Sequence, residues 1–414
     1  MPVADAVEAS LERSSWIRRM FEEGRRLKER FGSDKVFDFS LGNPDLEPPV
    51  AFVDALKAAA STVEAGTHAY MPNAGYPFAR VAMAAKVSSE HAMTGAGPAL
   101  TGDDVILTVG AAGAINVVLK TILNPGDEVL VIAPHFAEYS FYIDNHRGSM
   151  VPVQAAADFS LDPAAVAAAL GPRSAAIIIN TPNNPSGRVY PRADIEALAA
   201  VLVAHGTATG RFPYLIIDEP YRDIVYDGIK APPVMDAYPE SIVVSSFSKT
   251  LSVPGERIGY IAVNPAIADR KLLLDGMIMA NRILGFVNAP ALMQRAVAAS
   301  WQARADVSRY ERRRNSLAAI LDKAGIRYAK PEGAFYLFCE VPEGQSPSAG
   351  EVPEGQTPSP DVAFAMHLKE FNILAVPGVG FGKPGWFRLS YCVPEKTIED
   401  SAAAWLAAVE AWRG

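Results

Sequence analysis

Cysteine is nearly missing from this chain: Cys339 and Cys392 are the only two among 414 residues, far apart and without metal-ligand spacing. A disulfide framework or a zinc site is therefore not expected, and a reducing, cytoplasmic setting fits. The six histidines form no HxxxH or HExxH pattern, so no metal is expected from them either. No run of about twenty apolar residues occurs, so no membrane span is expected. The opening MPVADAVEASLERSSW carries acids and lacks an apolar centre, unlike a signal peptide. A net charge of −8 and a pI near 5.4 leave no basic field to attract nucleic acid or an anionic membrane. The local cluster Arg312–Asn315 reads as the solvated face of a helix. No GxxxxGK[ST] phosphate loop is present; GVGFGKPG at 378–385 lacks both its spacing and its hydroxyl. No GxGxxG follows the first strand-like run, which argues against a dinucleotide fold.

What is present is a repeated format of short apolar runs separated by alanine-rich helical stretches. The runs are DVILTVG (104–110), EVLVIAP (128–134), SAAIIIN (174–180), YLIIDEP (214–220), SIVVSSFS (241–248) and RIGYIAVNP (257–265). Near-continuous apolarity means that both faces of a sheet are covered, and alternation with helices implies an α/β domain with a mostly parallel sheet. RIGYIAVNP follows Ser248 too closely for a helical crossover and is expected to be antiparallel. The layout predicted is a helix and arm over 1–48 packing with a smaller domain, a large α/β domain over 49–290, and a smaller α+β domain over 291–414. A tandem duplication, EVPEGQSPSAG then EVPEGQTPSPD at 340–361, is rich in proline, glycine and small polar residues and reads as an expanded surface loop.

Ligands of open α/β sheets bind beyond the carboxyl ends of the strands, and polar residues cluster there in this sequence. Gly110, Ala111, Ala112 and Gly113 open a helix after DVILTVG, a place where free N–H groups and the helix dipole favour an anion. SAAIIIN runs into TPNNPSG, with Asn184. YLIIDEPY places Asp218 after four apolar residues, where a carboxylate is costly unless a cation meets it. SIVVSSFS delivers Lys249, and Arg257 opens the following strand.

In the order SLGNPD, NNPSG, DEPY, SFSKT, GERIG and FRLSYC, these motifs resemble the fold-type I pyridoxal-phosphate enzymes, specifically the class I/II, aspartate aminotransferase-like aminotransferases. The resemblance implies a large cofactor domain plus a small domain, in a homodimer with both active sites at the interface. It implies that Lys249 forms an aldimine with pyridoxal 5′-phosphate and then serves as the proton-transferring base. Asp218 would hold the ring nitrogen protonated, and Asn184 and Tyr221 would hydrogen-bond the ring's phenolic oxygen. Ser246, Ser248 and Arg257 would bind the phosphate beside the backbone of Gly110, Ala111 and Ala112. Phe136 stands at the ring-stacking position, where tyrosine or tryptophan is usual. Tyr70 would reach the phosphate in the partner subunit. Arg388 would grip the substrate α-carboxylate, with Gly42 close by through its backbone.

The implied reaction is transamination between an L-amino acid and a 2-oxo acid, of aspartate type with 2-oxoglutarate. The alternatives are a neutral or aromatic amino acid (alanine, valine, tyrosine) or a C–S or β-elimination lyase using the same residues. A dicarboxylate needs a second cation at the far end of the pocket, and Arg282 is the candidate, contributed across the dimer, with a surface salt bridge as its alternative role. Trp16 and Ile17 could instead supply an apolar lid, favouring a neutral substrate.

Overall fold

The computed structural model describes residues 2–12, 16–91, 93, 99–344 and 359–414. Most of the duplicated stretch expected as a surface loop, 345–358, lies outside the described residues, as do the side chains of Trp16 and Ile17. The described strands are β1 (Phe37–Asp38), β2 (Val105–Thr108), β3 (Glu128–Ala133), β4 (Ser149–Gln154), β5 (Ser174–Asn180), β6 (Tyr214–Asp218), β7 (Ser241–Ser246), β8 (Gly259–Val263), β9 (Tyr328–Ala329), β10 (Tyr336–Glu340), β11 (Ile373–Leu374), β12 (Val376–Pro377) and β13 (Trp386–Ser390).

Seven of them form one sheet in the order β2-β8-β7-β6-β5-β3-β4. All its pairings are parallel except those of β8, which runs antiparallel to both β2 and β7, as expected from the short link after Ser248. The expected near-continuous apolarity has a period-two explanation. Leu107, Ile132, Ile179, Ile217 and Val243 pack into a core on one face, and Ile106, Val131, Ile178, Ile216 and Val244 into a core on the other. β4 is a seventh strand that the apolar runs did not announce. It is an edge strand with Pro152 inside it and only Val153 buried, the one place where a sheet tolerates proline without losing a ladder bond.

A second body carries the antiparallel sheet β12-β13-β10-β9 and the parallel pair β1-β11. Its core joins these strands to the helices Val307–Ala324, Pro360–Glu370 and Ala402–Arg413 through Leu317, Leu321, Phe364, Leu368, Trp405 and Val409. The helix Ala291–Ser300 packs Met293, Ala296 and Val297 into the first core instead. The amino-terminal helix Trp16–Phe31 lies against β1 and β11, with Lys28 2.6 Å from the Asp38 carboxylate and Lys369 3.4 Å from Glu23. From β1 the chain continues as an arm that crosses from the second body to the first. Ser390 donates to the Phe39 carbonyl at 2.8 Å, and Ser252 Oγ to the Leu46 carbonyl at 2.6 Å.

Candidate active site

Six strands of the large sheet end on one rim because β2, β3, β4, β5, β6 and β7 run the same way. Antiparallel β8 begins on that rim with Arg257 just before it. The rim, the arm and β13 enclose a cavity of about 340 Å³. Its lining includes Gly42, Ala111, Ala112, Phe136, Asn184, Asp218, Tyr221, Ser246, Ser248, Lys249, Arg257 and Arg388. Gly110 stands directly behind, so these thirteen expected positions share one site. Tyr70 and Arg282 do not. Tyr70 is 91% exposed and Arg282 is exposed at the end of the helix Arg270–Ile283, both outside this chain's own cavity.

Asp218 ends β6, where the apolar ladder stops. Tyr139 donates to its Oδ2 at 2.5 Å, while Oδ1 is buried with no partner among the described residues. Burial outweighs the Tyr139 bond and lifts the carboxyl to about 7. Lys249 lies in the single turn Phe247–Thr250 after β7. Its Nζ donates to the Gly42 carbonyl at 3.0 Å and sits 5.5 Å from the Phe335 ring centre. Burial, helped by the nearby Arg388 and Arg257 charges, brings the amine down to about 8. A lysine poised there is in part a free base near neutrality.

Arg388 projects from the middle of β13 and is 2% exposed. Its Nη1 donates to Asn184 Oδ1 at 3.0 Å and its Nη2 to the Ser40 carbonyl at 2.7 Å, while buried Nε has no partner among the described residues. The Tyr336 and Phe381 rings flank the guanidinium at 4.5 and 4.8 Å. Asn184 is itself held by Asn180 Oδ1 at 2.7 Å, and Asn180 Nδ2 donates to the Asp218 carbonyl at 2.8 Å. With its oxygen taken by Arg388, Asn184 keeps its amide nitrogen for a ligand oxygen. Tyr221 Oη lies 3.0 Å from Tyr336 Oη.

Two glycines are required by space. Gly110 has φ +82°, and a Cβ there would lie 2.9 Å from Arg257 Nη2. A Cβ on Gly42 would fall 2.0 Å from the Tyr336 hydroxyl. The anion side of the cavity is the start of the helix Gly110–Ile122, Ser246, Ser248 and exposed Arg257, which takes left-handed backbone angles of φ 50° and ψ 53°.

The family model for class I and II aminotransferases matches residues 34–404. The chain is a class I and II aminotransferase. It is 31% identical over 374 residues to the aspartate/prephenate aminotransferase of Thermus thermophilus, covering 89% of each chain. It is 29% identical over 409 residues to aromatic-amino-acid aminotransferase 2 of Thermococcus litoralis, covering 97% of this chain and 96% of the other. The structure of an amino transferase from Eubacterium rectale superposes with a TM-score of 0.90 at 33% identity, covering 100% of both chains.

Aminotransferases of this family depend on pyridoxal phosphate, and the residues of this chain fit it. Asp218 Oδ1 is a buried acceptor in need of an N–H. The helix start with the two serines and Arg257 suits a phosphate, and the Phe136 ring forms a wall. Sequence reasoning missed Asn180, Tyr139 and Tyr336. Asn180 was visible as the polar end of SAAIIIN. Tyr139 and Tyr336 sit in apolar stretches, where an aromatic ring gives no separate signal. Among the described residues no helix is long and apolar enough to cross a membrane.

Proposed function

We propose that this aminotransferase works as a cytoplasmic homodimer on aspartate-type amino acids, with 2-oxoglutarate as acceptor. The observation that carries the reading is the meeting of Lys249, the unpaired Asp218 oxygen and the Arg388 fork in one cavity. Bound pyridoxal phosphate supplies an aldehyde that condenses with amines and a ring that accepts the electron pair left on Cα. Asp218 would hold a proton on the ring nitrogen. Asn184 and Tyr221 would donate toward the ring's phenolic oxygen, and Ser246, Ser248 and Arg257 would hold the phosphate. Arg388 orients the substrate α-carboxylate with a planar fork that a lysine could not reproduce. Lys249, with its amine near 8, would serve as the base that moves the proton taken from the substrate Cα. Tyr70 and Arg282, exposed and outside their own cavity, serve the site of the partner: Tyr70 toward the phosphate, Arg282 toward a side-chain carboxylate. Two buried free cysteines suit a reducing compartment.

One observation favours a second reading, an aromatic or other neutral amino acid. Among the described residues of this chain the cavity's cations are Lys249, Arg257 and Arg388, and Leu41, Ile115, Phe136 and Tyr336 make up much of the remaining wall. The Thermococcus litoralis relative carries an aromatic-amino-acid name.

A half-reaction panel decides between them. Each amino acid is added to the cofactor-loaded enzyme, and loss of the visible absorbance is timed. Aspartate and glutamate should react fastest, and Arg282→Ala should slow them by about tenfold or more while sparing alanine. Equal slowing of all three removes Arg282 as the reader, and faster reaction of tyrosine than aspartate supports the second reading. Borohydride reduction should fix the cofactor on the Lys249 peptide by mass spectrometry, and a protein left unlabelled would refute the site.

A further inference from the structure

Tyr70 and Arg282 lie on segments far apart in sequence, yet the structure ties them together through side-chain carboxamides. Asn281, adjacent to Arg282 and 0% exposed, donates from Nδ2 to the Asn73 carbonyl at 3.2 Å. The Asn281 backbone carbonyl accepts from the Val287 N–H at 3.1 Å, and Asn73 Nδ2 returns to the Val287 carbonyl at 3.0 Å. Asn288 Nδ2 reaches the Pro72 carbonyl at 3.0 Å. Gln294, also 0% exposed, accepts from the Tyr76 N–H at 2.8 Å and donates to the Ala289 carbonyl at 2.8 Å.

Burying amides is costly compared with burying leucine unless each is paired, so a cluster with two of its four amides, Asn281 and Gln294, fully buried serves geometry better than it serves stability. A carboxamide is short and stiff and offers a donor and an acceptor, so one side chain can fix two backbone strands at a set separation. The unpaired buried Oδ1 of Asn281 underlines the cost. What the cluster fixes is the stretch just after Tyr70 and the helix end that carries Arg282. Neither residue turns toward this chain's cavity.

We propose that Asn281, with Asn73, Asn288 and Gln294, is a positioning device that presents Tyr70 and Arg282 as one rigid unit to the active site of a second copy of this chain. This rests on the dimeric reading above. Asn281 touches no reacting atom; it acts through the two side chains it aligns.

Hybrid dimers test it. A Lys249→Ala chain is paired with an Asn281→Ala chain under different tags, and a Lys249→Ala chain with a Tyr70→Phe chain serves as reference. The Asn281→Ala homodimer should lose cofactor about tenfold faster and raise KM for aspartate in step, as for the loss of one well-placed hydrogen bond on each side. In each hybrid, the site that keeps Lys249 faces an unaltered platform, so cofactor retention and turnover at that site should return to the wild-type level. A purely structural defect of the Asn281→Ala chain would stay with that chain and would not be rescued. Recovery with Tyr70→Phe but not with Asn281→Ala overturns the platform and leaves the dimeric reading standing. Recovery with neither overturns the cross-subunit reading itself. An Asn281→Ala homodimer that changes only cofactor loss or only KM breaks the single unit and overturns the proposal. Asn288→Ala, altering a half-buried residue, carries the same comparison should Asn281→Ala fail to fold.

Discussion

Lys249 and Asp218 occupy one cavity with their protonation displaced in opposite directions, the amine down to about 8 and the carboxyl up to about 7. Burial drives both shifts, because each group is charged in water and neither has an ionic partner among the described residues. Attack on an aldehyde needs the neutral amine, so covalent uptake of pyridoxal phosphate by the cofactor-free protein should climb with pH and level off above about 8. Below that value the rate should fall by about tenfold per pH unit; a profile that keeps rising to about pH 10, the range of an ordinary lysine, would show that burial does not tune this amine. A second residue-scale test uses Gly42, whose carbonyl accepts from Lys249 and whose Cα has no room beyond it. Gly42→Ala would place a methyl on the Tyr336 hydroxyl, 2.0 Å away, and something must move. Overpacking of this kind costs about 1–3 kcal/mol, so the variant should lose about that much folding stability, measured by urea denaturation.

Strands and turns decide which of these residues could be read in advance. Asp218 was legible because a carboxylate at the end of a buried run has few structural uses, whereas Lys249 and Asn184, each explicable alone as part of a turn, became legible through the joint order of the motifs. The antiparallel course of β8 was legible because the link before it leaves no length for a helix. β4 was not, since a half-exposed edge strand interrupted by Pro152 has neither the alternation nor the apolarity of its neighbours. Tyr336 hid in β10, where an apolar strand accounts for it fully. The turn after β6 shows how elements support the site from behind. Glu219, next to Asp218 and 0% exposed, accepts from His91 Nε2 at 2.9 Å and from Arg222 Nη1 at 2.9 Å. His91 Nδ1 accepts the backbone N–H of Val234 at 3.2 Å, which leaves Nε2 to donate to Glu219. Arg222 brings a full positive charge to Glu219, and it also caps the Pro232 carbonyl at 3.1 Å. Removing it with Arg222→Met strands a buried carboxylate, so the variant should be destabilised by about 3–5 kcal/mol. Urea denaturation measures this, and a loss below about 1 kcal/mol would mean that solvent reaches Glu219.

At the scale of the whole molecule, two packed bodies meet on a cavity whose ionisable walls are incompletely paired. Asp218 Oδ1 and Arg388 Nε lack partners among the described residues, and burial displaces Asp218, Lys249 and Arg388 toward their uncharged forms. Such an arrangement weakens the cofactor-free fold and is relieved when a ligand brings the missing charges, which links binding to stability. For Asp218 the sign is fixed by its value in each state. The folded carboxyl titrates at about 7 and the unfolded one at about 3.9, so between these values the folded state binds more protons. The stabilising contribution is therefore complete below about pH 4 and lost as pH rises through about 7. Relative to Asp218→Asn, which carries no charge at any pH, the cofactor-free wild type should lose on the order of 4 kcal/mol across that window. Denaturation of both proteins without cofactor over this range measures the difference, and a flat difference would show that Asp218 is not an unpaired buried acid. The same titration with pyridoxal phosphate bound should show no such loss if, as proposed, Asp218 meets the ring nitrogen, because a cationic N–H partner would let it ionise at its ordinary pH or below. A slope that persists in the loaded enzyme would place the ring nitrogen away from Asp218.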